Sequence, residues 1–169
     1  MQIQSCPYTQ YADELVTILS HGGAFLTVKS QERPNTMTIG WGNLGFAWGK
    51  PILTVMVRRS RFTYSLIERA GEFTVTFPRE DVSDALRFCG SKSGRDVDKI
   101  QMCQLPLLDG RSIATSIIGV RGLQYECRTV FRSPIQPDVL DSSIDARYYG
   151  DHDYHVLYFG EILDCYQTL

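Results

Sequence analysis

The sequence predicts a mostly β protein with a few short helices, built as an antiparallel barrel rather than a doubly wound sheet. Runs rich in β-branched and aromatic residues recur along the chain, at 24–30, 36–41, 51–57, 72–77, 119–131 and 154–166. Only two or three short stretches carry helical spacing, and strands do not alternate with helices as parallel βαβ units require. A length of 169 residues with 43% hydrophobic content predicts one domain over residues 1–169 with a substantial core.

In chain order, Glu14 to Ser20 is a short helix or an irregular lead-in, broken at Gly22-Gly23. Ala24 to Ser30 reads as a strand, followed by a polar turn through Gln31, Glu32, Arg33 and Pro34. Thr36 to Trp41 is the next strand, leading into a glycine-rich loop that Pro51 closes before a third strand ending at Val57. Phe62, Leu66, Ile67 and Ala70 mark one face of a helix from Arg61 to Ala70, with Ser60 as its N-cap and Gly71 as its stop. Glu72 to Phe77 is a strand that Pro78 ends, and Val82 to Cys89 is a second helix. Gly90 to Asp98 is too polar and glycine-rich to pack, so it reads as a surface loop, and Gln101 to Arg111 gives no periodic signal. Two long strands follow, Gly119 to Phe131 with a kink near Gly122 and Tyr154 to Tyr166 with a bulge at Gly160. Between them lies connecting structure with a helical turn near Asp141.

Composition removes several function classes. A formal charge of −2 supplies no field for nucleic acid or an anionic membrane, so any anion site is local. No apolar run approaches the roughly 20 residues of a membrane span. The five cysteines are dispersed and lack a CxxC pair, which argues against a disulfide framework or zinc site and for a reducing, cytoplasmic setting. The N-terminus carries no signal-peptide pattern.

Positive charge gathers where strand gives way to helix, in Val57-Arg-Arg-Ser-Arg-Phe-Thr-Tyr64. Unpaired N–H groups and the helix dipole make such a start an anion site, and Arg58, Arg59 and Arg61, with the hydroxyls of Ser60 and Thr63, add donors suited to a phosphate. The same residues also fit a capped helix start with solvated arginines. Gly90-Ser-Lys-Ser-Gly-Arg95 offers a second loop of backbone donors and cations that could close on the same phosphate, or a plain charged surface loop.

Other motifs lack their required context. Gly40-Trp-Gly-Asn-Leu-Gly45 matches the dinucleotide fingerprint in letters, but Gly49 and Pro51 leave no helix behind it. The glycines fit close approach of backbone to a flat ring or a partner subunit, with Trp41 and Trp48 as apolar walls, or a simple connection over a barrel end. Asp151-His-Asp-Tyr-His155 has no metalloprotease helix, and its histidines read as surface or strand-edge residues. No GxSxG elbow is present. The tyrosines at 148, 149, 154 and 158 read as core and interface packing, and Cys89 as structural.

Taken together, Asn35-Thr-Met-Thr-Ile-Gly-Trp, Gly49-Lys-Pro, the arginine segment, Phe73-Thr-Val-Thr-Phe and Cys89-Gly-Ser-Lys-Ser-Gly-Arg-Asp resemble the flavin reductase-like proteins of the FMN-binding split-barrel group, particularly the flavoredoxin branch. The resemblance covers Gly22 to Lys99 and returns at His155 to Glu161. It implies a dimeric split barrel with FMN in a groove between subunits. The segment matching Asn35, Thr36, Met37 and Thr38 would line the isoalloxazine, and those matching Arg58, Ser60, Arg61, Thr63 and Ser91-Lys92 would hold the phosphate. Two positions depart from the family pattern: Arg59 stands where proline is common, and Phe62 where tyrosine is frequent.

The implied activity is NADH- or NADPH-dependent reduction of flavin, with hydride passing to N5 and no catalytic nucleophile or metal supplied by the protein. The protein's tasks would be positioning and stabilising the reduced ring through backbone donors near Thr36 to Thr38. Two alternatives stand beside it: an electron-transfer flavoprotein of the flavoredoxin kind, and a non-catalytic barrel that holds flavin or haem. A redox protein or monooxygenase is a conceivable partner, while nucleic acid and membrane are not.

Overall fold

The computed structural model describes residues 1–31 and 33–169. Glu32, in the predicted polar turn, lies outside the described residues. The elements in order are β1 (Ile3–Ser5), α1 (Ala12–His21), β2 (Ala24–Val28), β3 (Asn35–Ile39), β4 (Gly42–Ala47), β5 (Lys50–Arg58), α2 (Phe62–Ala70), β6 (Glu72–Pro78), α3 (Ser83–Ser91), α4 (Lys99–Met102), β7 (Leu107–Leu108), β8 (Ile117–Ile118), β9 (Gly122–Pro134), a 3₁₀ turn at Pro137–Val139, α5 (Ser142–Tyr148) and β10 (His155–Thr168).

All strand pairs are antiparallel, and the main sheet runs β3-β2-β6-β9-β10-β5-β4 with β1 added on the far half of β10. The two ends of that order, β3 and β4, are consecutive in the chain and joined only by Gly40 and Trp41. Two residues cannot span a flat seven-strand sheet, so the sheet curls until its edges meet without pairing. The result is a split barrel, and the split is the seam along the outer edge of β3.

The main core fills the barrel with Leu26, Val55, Phe73, Val75, Phe77, Tyr125 and Tyr158, while a second cluster of Phe25, Leu86, Cys89, Ile100 and Ile118 packs α3 and α4 outside it. Buried Glu126 accepts from the N–H groups of Arg111, Ser112 and Ile113 and from the Tyr166 hydroxyl at 2.6 Å, which ties the 110–113 loop to the sheet. A buried carboxylate is tolerated there because its lone pairs are taken.

Several sequence expectations need correction. The glycine-rich stretch after Trp41 is a strand, β4, joined to β5 by a tight Trp48-Gly49 turn with φ of 52° and 71°, both left-handed as a type I′ hairpin demands. Pro51 lies inside β5, just beyond the last residue that pairs with β10, where its missing N–H is tolerated. The N-cap of α2 is Arg61 rather than Ser60, and no side chain caps it; Gly71 does end the helix, in the left-handed region at φ 66°. The helix expected over Val82 to Cys89 runs Ser83–Ser91, and its last turn takes in the start of the predicted surface loop. Gly94 in that loop is buried. The long strands begin and end later than read, at Gly122–Pro134 and His155–Thr168. The bulge at Gly160 is present, where an added Cβ would meet Phe73 at 2.5 Å. Asp141 caps α5, as the helical turn expected near it requires.

Candidate functional site

The predicted site residues converge on the seam from three directions. β3 contributes Asn35 to Thr38 along an edge that pairs with no further strand among the described residues; of the four, Thr38 is the one that is not buried. The end of β5 and the start of α2 bring Arg58 to Thr63. The end of α3 and its loop bring Ser91 and Lys92.

Hydrogen bonds lock this junction. Asn35 Nδ2 donates to Thr63 Oγ1 at 2.9 Å, and Thr38 Oγ1 donates to the Leu86 carbonyl at 2.6 Å, fastening β3 to α2 and α3. Thr36 is fully buried and donates to the Leu26 carbonyl at 3.2 Å, so its side chain serves the β2–β3 pair. The Arg61 guanidinium donates to the Gly90 carbonyl, linking the arginine segment to the α3 loop. Gly94 has no room for a side chain, since an added Cβ would collide with Asn35 Oδ1 and sit 2.9 Å from the Phe62 ring.

Two clefts adjoin at Met37. The first, about 170 Å³, is lined by Met37, Ser60, Arg61, Phe62, Thr63, Ser91, Lys92, Ser93, Gly94, Arg95 and Lys99. It therefore holds two arginines, two lysines, three serines and the uncapped start of α2, and none of its lining residues is acidic. The second, about 220 Å³, is lined by Met37, Thr38, Ile39, Gly40, Trp41, Met56, Arg58 and His155. One is cationic and rich in donors; the other is flatter and mixes apolar Met37, Ile39, Trp41 and Met56 with polar Thr38, Arg58 and His155.

Lys99 had no sequence signal, being a single cation beyond the Gly-Ser loop. It is 4% exposed, and its ammonium donates to the Cys89 carbonyl at 3.1 Å. Burial pulls its pKa down to about 8, with Cys89 opposing and Arg61 adding to the fall. Arg61 is shifted down for the same first reason, burial, and then by Arg58. Asp153, held by Ser60, partly offsets the fall at Arg61, and the remaining excess of crowded, desolvated cations suits an anion.

Arg58 is placed differently from the other predicted phosphate residues. Its guanidinium donates to Asp151 at 3.2 Å, to the Asp153 carbonyl at 3.1 Å and to the Tyr148 carbonyl at 2.7 Å, and it lines the second cleft. Ser60 stays in the first cleft, although its N–H and Oγ both donate to the Asp153 carboxylate. Arg59 is exposed and lines neither cleft.

The Asp151 to His155 cluster thus braces the arginine segment. His155 is half-buried, its Nδ1 2.8 Å from the Tyr149 hydroxyl and its ring 5.2 Å from that of Trp41. Burial first, then the charge of Arg58, hold its pKa at about 4, so the imidazole is neutral at pH 7. No local pattern marks these contacts, because the partners of His155 lie in the β3–β4 link, on β5 and at Tyr149.

The profile of the flavin reductase like domain matches residues 17–168. An uncharacterised protein of Archaeoglobus fulgidus is 30% identical over 139 residues, covering 82% of this chain and 68% of its own length. Among solved structures, a flavoredoxin from Methanosarcina acetivorans superposes with a TM-score of 0.69 at 25% identity, covering 86% of this chain and 68% of its own. An FMN-binding protein from Thermus thermophilus, solved with bound 1-cyclohex-2-enone, gives 0.66 at 25% identity over 86% of this chain and 70% of its own.

Proposed function

The chain belongs to the flavin reductase-like family, and on that premise we propose that it binds FMN at the seam and reduces it with NADH or NADPH. The observation that carries this reading is the acid-free cationic cleft built on buried Lys99, directly beside a flatter cleft under an uncovered strand edge. A phosphate fits the first. Lys99 gives one of its three donors to Cys89, Arg61 and Lys92 add charge, and Gly94 brings loop backbone close enough to close the site.

FMN, when bound, supplies a ring that accepts hydride at N5. The chain's own residues do the rest. Backbone donors of Asn35 to Thr38 would hold the polar edge of the ring and stabilise negative charge on it. Met37 and Trp41 shield it from water, and neutral His155 adds a hydrogen-bonding group without charge. Asp151 and Asp153 hold Arg58 and Ser60 in place from behind.

The occupant of the remaining open side is a second copy of the chain. Neither cleft alone reaches the roughly 300 Å³ usual for a small-molecule site. Phe46, Trp48 and Phe131 also stay exposed on the β4–β5 and β9 face, with Trp48 and Phe131 ring centres 5.8 Å apart.

A second reading, FMN as a carrier between redox proteins, draws on the flavoredoxin likeness. Anaerobic stopped-flow mixing separates them. The reductase reading expects the flavin absorbance of the FMN-loaded protein to bleach within seconds of mixing with NADH or NADPH. Bleaching by dithionite but by neither nicotinamide would replace it with the carrier reading.

A further inference from the structure

We propose that Cys6 and Cys165 are a reversible disulfide site, closed by hydrogen peroxide, that fastens the first strand of the protein to the last. Their sulfurs lie 3.7 Å apart although 159 positions separate them in sequence. The β1–β10 register, Ser5 opposite Tyr166, continues to Cys6 opposite Cys165, and the Cys6 N–H donates to the Cys165 carbonyl at 3.1 Å. Directly opposed residues of antiparallel strands have Cα atoms about 4.5 to 5.5 Å apart, inside the range a disulfide spans. Rotation of the side chains is enough to bring the sulfurs together.

Access favours an ordered reaction. Both cysteines line a surface groove of about 410 Å³ beside Pro7, Tyr8 and Leu163, and Cys6, half-buried where Cys165 is buried, is the sulfur a peroxide reaches first. Cys165 is 7% exposed, and burial first, then the adjoining Cys6, push its pKa up to about 12. It waits as a thiol. Cys6 attacks the peroxide, the O–O bond breaks, and sulfenic acid and one water form. Cys165 then attacks the Cys6 sulfur; hydroxide leaves and takes the Cys165 proton as a second water. Two thiols lose two electrons and two protons, and one hydrogen peroxide becomes two waters.

The bond would matter because β1 is weakly held: it is three residues long, wholly exposed and paired only with β10. Closing a loop this long removes nearly as much unfolded-chain entropy as a single cross-link can. The site stands apart from the flavin clefts and does not depend on the function proposed above.

Every cysteine falls in its own tryptic peptide, Cys6 in 1–29 and Cys165 in 148–169. The test treats the full chain with stoichiometric hydrogen peroxide, then runs a non-reducing digest by mass spectrometry and a thermal melt. The expected result is peptide 1–29 joined to 148–169, a melting temperature raised by about 5 °C or more, and reversal of both by dithiothreitol. Cys6→Ser, a substitution at a half-exposed site that should fold, should lose the link and the shift together. Cys6 found as sulfinic acid with Cys165 free, a link confined to another pair such as Cys89 and Cys103, or a Cys6–Cys165 link without a melting shift would each overturn the proposal.

Discussion

Lys99 is where residue chemistry and proposed function meet most closely. A free lysine loses its proton near 10.5, and this one is drawn down to about 8 by burial. A phosphate beside it restores the charged form, so below about pH 8 the cation is already present, and above it binding must bring in a proton. FMN affinity should therefore fall as pH rises from 8 to 9.5, by up to about tenfold per unit. Riboflavin should show no such slope over that range, and Lys99→Met should remove it for FMN; titration by flavin fluorescence reads both. An equal slope in the variant would remove Lys99 from the site. The arginine cluster was legible in the sequence because its charges are adjacent. The division of labour within it was not, since Arg58 is claimed by Asp151, 93 positions away, and Ser60 by Asp153. Lys99 carried no local pattern; only burial distinguishes it from any other lysine.

At the scale of elements, β2, β3, β5, β6, β9 and β10 and the helices α2 and α3 could be read from periodicity, while α1 stayed open and the seam could not be read. Residues 42–47 look like a loop because two glycines and an asparagine have poor strand propensity, yet pairing of all six residues with 50–55 of β5 overrides it. The 92–98 loop shows the reverse: its polar composition reads as solvated, but Gly94 lets it pack into the angle between Asn35 and Phe62. Gly94→Ala is accordingly expected to push Asn35 from Thr63, cost about 1 to 3 kcal/mol, and weaken FMN at least tenfold. Gly150→Ala, where nothing lies within 4 Å of an added Cβ, is the control and should leave the melting temperature nearly unchanged. Similar melts for the two variants would mean the loop yields without strain.

For the whole molecule, the split follows from connectivity: a two-residue link between the outermost strands forces the sheet to curl, and the proposed ligand site lies along the unpaired edge it leaves. This much was foreseen as an antiparallel barrel, and the family resemblance supplied the split. The exposed Phe46, Trp48 and Phe131 face predicts assembly at this scale. Trp48→Lys with Phe131→Lys should move the protein from dimer to monomer in sedimentation velocity and lower FMN affinity with it; a monomeric wild type would end the idea that two chains share the site.

The most direct measurement of the account compares FMN and riboflavin by calorimetric titration in the wild type and in Arg61→Ala with Lys92→Ala. Only FMN carries a phosphate, and both residues line the acid-free cleft. The double variant is predicted to lose at least about a hundredfold in FMN affinity, roughly 3 kcal/mol, with riboflavin almost unaffected. Equal losses for both ligands, or none for either, would contradict the placement of the phosphate between these two loops.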